Sequence, residues 1–221
     1  DGLQEYDRRH GYRGPEARNP DITLEQGLEL LKGYKSLGGL EPALVAAVNG
    51  GVATYVNRFG SSAFDGRKQI LASPATTLLA SDVNGDGADD VVALLDSGTV
   101  VWIHGFGNGT FDASLGGTLA SPPSPVVALV LLHANSDSFV DAVVATSSRI
   151  DVMCNPSGDG TFFSCASIAM VGVTALGEGR ISPDGSTDLV TAVGGDGSVG
   201  VHLGTGTGGF GSRIVIASGE Y

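Results

Sequence analysis

Four segments of this chain end in nearly the same turn. Residues 57–64, 104–111, 155–162 and 203–210 are glycine- or serine-rich and close on Phe64, Phe111, Phe162 and Phe210, at intervals of 47, 51 and 48 residues. A period of that size marks a repeated supersecondary unit that buries its faces against its neighbours. Each turn follows two short apolar runs. Residues 44–48 and 52–56 align without a gap with 91–95 and 99–103, which sets Tyr55 on Trp102. The third repeat supplies 142–145 and 150–154, and the fourth 189–193 and 199–203. Runs this short, rich in Val and bounded by Gly, Asp and Ser, read as strand, turn, strand. Two more strand candidates, 70–72 and 77–80, lie between Phe64 and the next pair. Four short strands per unit predict an all-β fold, a β-propeller of about four blades or part of a larger one. An irregular β-sandwich is the competing architecture, and the ungapped match argues against it. Residues 214–218 match 69–73. The final strand is therefore expected to pair with the N-terminal half unit and close the ring, leaving no free edge.

The repeats occupy residues 41–221. Residues 1–40 read as a separate N-terminal arm with a short helix. Thr23 and Gln26 form a capping-box pattern, and Leu24, Leu28 and Leu31 make one apolar stripe, predicting a helix over 24–35 that caps the propeller. The start at Asp1 reads as a mature or trimmed end.

The formal charge is −12, and six of the twelve basic residues precede Leu40. Such a chain repels phosphate backbones, so nucleic acid is not expected as a partner. The longest apolar run, 126–132, is too short to span a bilayer. Cys154 and Cys165 flank the turn 155–160, and a cross-hairpin disulfide is expected, with two buried thiols as the alternative. A disulfide implies an oxidising compartment.

The loop at residues 82–90 reads Asp-Val-Asn-Gly-Asp-Gly-Ala-Asp-Asp. Oxygen donors recur at its first, third, fifth and ninth positions, and alternate side chains of a tight loop can converge on one point. Calcium is a hard cation that takes several oxygens. Asp82, Asn84, Asp86 and Asp90 are expected as side-chain ligands and Ala88 as the backbone ligand. An EF-hand would need Glu at position 12, where Ala93 stands inside a Val-rich run. The related loops are weaker candidates. In 133–141, Asn135, Asp137 and Asp141 remain. In 180–188, Asp184 and Asp188 remain, with Arg180 expected to pair with both in place of an ion.

The 82–90 loop, the strand after it and the turn 105–111 resemble FG-GAP/VCBS repeats, the calcium-bearing blades of integrin-α-like propellers. The resemblance covers roughly residues 41–218. It implies an extracellular or cell-envelope binding and adhesion scaffold for a protein or carbohydrate ligand, with calcium tying the blade loops. Residues 1–16 and 38–45 are similar to the region between the two catalytic domains of class A penicillin-binding proteins. That likeness implies, as the alternative, a fragment of an envelope enzyme tied to peptidoglycan synthesis. The motifs S-x-x-K and K-T-G of that family are both missing.

No catalytic constellation emerges, and a non-enzymatic binding module is expected. Tyr55 and Trp102 are candidates for glycan stacking, with core packing the stronger expectation. His104 and His202 sit near similar turns and are expected on a rim or in the core without chemistry. Self-association could complete the propeller.

Overall fold

The computed structural model describes residues 43–56, 67–122 and 124–219. The arm and helix expected over 1–40 lie outside them. Among the described residues, fifteen strands follow one another without a helix. They are β1 (Ala43–Val48), β2 (Gly51–Val56), β3 (Lys68–Leu71), β4 (Ala75–Ser81), β5 (Asp90–Leu95), β6 (Val100–Gly105), β7 (Phe111–Ala120), β8 (Val126–Leu132), β9 (Asp141–Thr146), β10 (Arg149–Cys154), β11 (Phe163–Ala169), β12 (Val173–Gly179), β13 (Asp188–Val193), β14 (Ser198–His202) and β15 (Ile214–Ala217). They form one three-stranded sheet, β1–β3, and three four-stranded sheets, β4–β7, β8–β11 and β12–β15, each an antiparallel meander. This is a propeller-like all-β arrangement. No helix among the described residues is long and apolar enough to cross a membrane.

Sheets bury both faces by stacking blade on blade. Val45, Val52, Val91 and Ile103 fill the space between blades one and two. Val83, Val92, Leu94, Trp102, Val126 and Val144 fill the next gap, and Val143, Ile150, Val152, Val173 and Leu189 the last. The innermost strands β4, β8 and β12 line up in series, and β1 packs on β4. Among the described elements this series does not return substantially from β12 to β1.

Two expectations are corrected here. The strand after each closing Phe is the outer strand of the preceding blade, so residues 68–71 finish blade one. By the same rule β15 pairs with β14 and completes blade four, and does not close the ring against the N-terminal half unit. The second correction concerns register. The β1–β2 hairpin pairs Val48 with Gly51, while β5–β6 pairs Leu94 with Val100 across a longer turn. Val91 consequently opposes Ile103, but Leu44 opposes Tyr55. A one-residue slip moves side chains to the other face. Tyr55 therefore packs with Ala46, Val48 and Ala53 on the side of blade one away from blade two. Trp102 faces blade three. The counterpart of Trp102 in blade one is Thr54.

The glycine-rich turns now have a task. Each of the three described ones folds back over the preceding blade. Thr54 Oγ1 donates to the Gly109 carbonyl at 3.3 Å, Trp102 Nε1 donates to the Gly160 carbonyl at 3.1 Å, and the Gly208 amide donates to the Ala134 carbonyl at 2.9 Å. Gly109, Gly160 and Gly208 hold φ of 80°, 78° and 88°, which only glycine adopts without strain. A Cβ on Gly160 would also strike the Trp102 ring.

One buried histidine breaks the repeat. Ile103 opposes Val91 and Met153 opposes Ala142, but His202 opposes Leu189. His202 is 2% exposed, its Nδ1 donates to the Gly211 carbonyl at 3.1 Å, and its Nε2 has no partner among the described residues. Burial lowers its pKa, the Gly211 hydrogen bond opposes this, and the Arg213 charge adds to the lowering. A group whose folded pKa is depressed below 6.5 loses stabilisation as pH falls through the folded value. His202→Met, which restores the residue type of blade three, is expected to stabilise the protein by about 1 kcal/mol at neutral pH by removing an unpaired buried nitrogen. The gain should widen below about pH 6.5. Urea denaturation of both proteins from pH 7.5 to 5 measures it, and a difference that stays constant over that range would refute the assignment.

Candidate cation loop of the second blade

The 82–90 loop joins β4 to β5 and is drawn tight by Asx-type hydrogen bonds. Asp82 Oδ1 accepts the amides of Gly85 and Asp86 at 2.7 and 3.2 Å, and its Oδ2 accepts that of Gly87 at 2.9 Å. Asn84 Oδ1 accepts the Asp86 amide at 3.1 Å, and Asp86 Oδ1 the Ala88 amide at 2.8 Å. Gly85 and Gly87 supply φ of 74° and 86°. The oxygen donors read from sequence thus curl around one short loop, as alternate positions should.

Asp90 stands apart. It is fully buried at the start of β5, where Oδ2 accepts the Val83 amide at 2.9 Å and Oδ1 the Gly105 amide at 2.8 Å. Its carboxylate ties the loop entrance to the far end of β6. The same clip recurs in the other full blades. Asp141 accepts the amides of Ala134 and Asn155, both at 2.9 Å. Asp188 accepts those of Ile181, Ser182 and Gly204 at 2.8, 2.6 and 2.9 Å. Asp90, Asp141 and Asp188 are all 0% exposed. Whatever else these aspartates do, they are structural acceptors in every four-stranded blade.

Burial and hydrogen-bond donors act on these carboxylates in opposite directions. Burial pushes the Asp90 carboxyl up to about 6, against the amides of Gly105 and Val83, and the Asp86 charge adds to the rise. Burial likewise raises Asp141, with the amides of Asn155 and Ala134 opposing. At Asp188 burial also acts upward, but the amides of Ser182, Gly204 and Ile181 and the Ser182 hydroxyl together hold the carboxyl below its usual range. Ser182 thereby takes the part expected of Arg180. Its hydroxyl donates to Asp184 at 2.8 Å and lies 3.2 Å from Asp188, and Arg180 enters no ion pair with either residue among the described residues. In the third loop Asn135 and Asp137 accept the amides of Asp137 and Phe139, and His133 stands where blade two has Asp82.

Sequence reasoning expected His104 on a rim or in the core without chemistry and did not connect it with the loop. The residue sits at the end of β6, and its Nδ1 lies 2.8 Å from Asn84 Nδ2, 3.5 Å from Asp86 Oδ2 and 3.6 Å from Asp90 Oδ1. The one available signal was its position, one residue before the glycine whose amide the clip aspartate accepts. Trp102 and Tyr55 are 7% and 6% exposed and belong to the core, so neither offers a glycan a stacking face. The disulfide is present: Cys154 and Cys165 join the end of β10 to β11, Cα to Cα 5.8 Å.

The residues fit a cation in part. An ionised carboxylate has about four lone-pair sites, so an amide contact leaves capacity for a metal. Among the described residues, however, no three His, Cys, Asp or Glu side chains form a ready-made metal shell. The Asn84 Nδ2 lies 3.0 Å from Asp86 Oδ2 and 2.8 Å from His104 Nδ1, so a carboxamide already partners both groups.

No family model matches this chain. Penicillin-binding protein 1A of Pseudomonas aeruginosa is 56% identical over 48 residues, which is 22% of this chain and 6% of that protein. Among solved structures, an Agrocybe aegerita lectin described for specific recognition of non-reducing terminal N-acetylglucosamine superposes with TM-score 0.57 at 16% identity, covering 82% of this chain and 50% of the lectin. BBS1N, solved in complex with ARL6DN, superposes with TM-score 0.55 at 13% identity over 81% of this chain and 53% of its own. Such identities establish a shared propeller-like fold and nothing finer. This chain spans about half the length of those structures.

Proposed function

We propose that residues 41–221 form a calcium-stabilised binding and adhesion module of the FG-GAP/VCBS type, acting outside the cytoplasm on a protein or carbohydrate ligand and without catalysis. The observation that carries this reading is the 82–90 loop. It keeps carboxylate or carboxamide oxygens at its first, third, fifth and ninth positions and is held between two strands of one blade. Asp82, Asn84, Asp86, Asp90 and the Ala88 carbonyl would hold the ion, and the ion would neutralise Asp86 and Asp90, whose like charges help to raise the Asp90 carboxyl. Recognition of a glycan by a lectin of similar fold, and the complex formed by BBS1N, support binding as the class of activity. The disulfide supports an oxidising, extracytoplasmic setting. The open series of blades supports self-association as one way to complete the ring.

The test is thermal melting in calcium against chelator. An ion that binds only the native state adds RT ln(1 + [L]/Kd), about 2.7 kcal/mol at a hundredfold excess over Kd. The expected result is a melting temperature higher by roughly 5–10 °C with calcium, lost in Asp82→Ala. Identical melting curves would end the calcium reading. A second reading is favoured by the 48-residue match to penicillin-binding protein 1A: that the chain derives from an envelope enzyme of peptidoglycan synthesis. Flanking coding sequence that supplies glycosyltransferase or transpeptidase motifs would support it.

A further inference from the structure

We propose that Asn108, at the tip of the second-blade turn, is the attachment site of an N-linked glycan, received from a lipid-linked oligosaccharide whose first sugar is an N-acetylhexosamine. The proposal rests on the extracytoplasmic setting argued above, since sites of this kind occur on surface loops of secreted chains.

Of the seven asparagines in the chain, Asn108 alone opens an Asn-x-Ser/Thr sequence without proline, Asn108-Gly109-Thr110. The demands of the blade turn do not account for it. That position needs an acceptor oxygen. Asn108 Oδ1 accepts the Thr110 amide at 3.0 Å, and in blade three Asp159 Oδ1 accepts the Thr161 amide at 2.9 Å. Blade four has Thr207 there. An Asp or a Thr therefore serves the fold, and the carboxamide nitrogen of Asn108 is surplus to it. That nitrogen makes no hydrogen bond among the described residues. Asn108 is exposed, whereas Gly109 beside it is buried with its carbonyl taken by Thr54. The hydroxyl of the acceptor sequence is already in place, since Thr110 Oγ1 donates to Asn108 Oδ1 at 2.6 Å. In the transfer the bond from Nδ2 to the sugar C1 forms and the bond from C1 to the lipid pyrophosphate oxygen breaks. The pyrophosphate leaves with that electron pair, and Nδ2 gives one of its two protons to a base of the transferase.

A second observation concerns the sugar itself. Phe106 is 47% exposed and lies in the same five-residue turn, which its amide closes on the Thr110 carbonyl at 3.1 Å. His104 holds the ring edge-on, centroids 4.6 Å apart and planes at 83°. A hexosamine presents an apolar C–H face, and an exposed aromatic ring is the surface on which such a face packs. The corresponding pairs in the other turns are Phe59 with Ser61, Ser157 with Asp159, and Thr205 with Thr207. Only blade two joins the aromatic ring to the acceptor asparagine.

The experiment secretes the full chain from a eukaryotic cell behind a cleavable leader and measures the intact mass. The expected result is one N-glycan per chain, released by peptide-N-glycosidase with deamidation of Asn108. Asn108→Asp keeps the acceptor oxygen of the turn and should be secreted folded and bare, and Thr110→Ala should also be bare. The glycosylated chain should melt roughly 2–4 °C above its enzymatically deglycosylated form, a difference that Phe106→Ala abolishes. A secreted chain with the Cys154–Cys165 disulfide formed and Asn108 bare would overturn the inference and leave the extracytoplasmic reading in place. A glycan retained in Thr110→Ala would overturn the assignment to Asn108, and a melting difference that survives Phe106→Ala would overturn the packing of the sugar on that ring. If the secreted chain keeps both cysteines free, the extracytoplasmic reading and the inference fall together.

Discussion

Asp188→Ala is expected to cost about 4 kcal/mol and to lower the melting temperature by roughly 8–16 °C. The Asp188 carboxylate is completely buried and satisfies the amides of Ile181, Ser182 and Gly204. Truncation leaves the buried Gly204 amide and the partly buried amides of Ile181 and Ser182 without their acceptor. Each unmet buried donor costs about 1–3 kcal/mol, and a new cavity adds to that. Asp184→Ala is the control: Asp184 is exposed, its partners can turn to water, and its loss should be within about 1 kcal/mol. Chemical denaturation of the two variants beside the unaltered chain makes the comparison. Equal losses would show that the Asp188 clip is an accident of the loop and not a strut of the blade.

The clips also carry opposite pH signatures. Asp188 is held below its usual range, so its stabilisation is complete above that range and is lost as pH falls through the folded value. Asp90 and Asp141 are raised, so the folded state binds their proton more tightly than the unfolded chain does. Their contribution is greatest at low pH and is lost as pH rises, for Asp90 up to about 6. The loss in Asp188→Ala should therefore shrink on acidification below about pH 4. A cation on the second loop would pull Asp90 back down and erase its signature there, but not that of Asp141.

Much of this was legible in the sequence, because strands and turns advertise themselves by residue type. The Val-rich runs, the Asn155–Gly160 turn and the flanking cysteines each require particular side chains. What stayed hidden depends on backbone partners. A carboxylate that binds metal and one that binds two amides are both written Asp, and amides have no side-chain signature. Asp90, Asp141 and Asp188 accordingly read as ligands when all three are also clips. The register slip between β1 and β2 was hidden for a similar reason. Residues 44–56 and 91–103 match without a gap, yet the turn at Asn49-Gly50 is tighter than the one at Asp96-Ser97-Gly98, and only hydrogen bonding reveals it. Tyr55 and Trp102 share an alignment column and face opposite ways. The place of His104 beside the loop was hidden too, since Asp90 and Asp86 lie 14 and 18 positions away in the chain.

Removing the disulfide by Cys154→Ser with Cys165→Ser is expected to cost about 3 kcal/mol, the chain-entropy value for closing a short loop. The bridge spans 11 residues and joins β10 to β11 around the turn that receives the Trp102 indole. It also supports the next blade. The space beside Gly208 is filled by both sulfurs, a Cβ there lying 3.1 Å from Cys154 Sγ and 3.3 Å from Cys165 Sγ. The Gly208 amide in turn donates to Ala134, and Thr207 bridges to Asn135. Two serines would leave that platform looser and more polar. Loss of amide protection should therefore extend beyond the Asn155–Gly160 turn to Gly208, although the two lie on different blades. Hydrogen exchange on the double variant reads this directly. A loss of about 3 kcal/mol with Gly208 still protected would assign the bridge to the unfolded chain alone, whereas joint loss at Gly160 and Gly208 would make it the joint between the third and fourth blades.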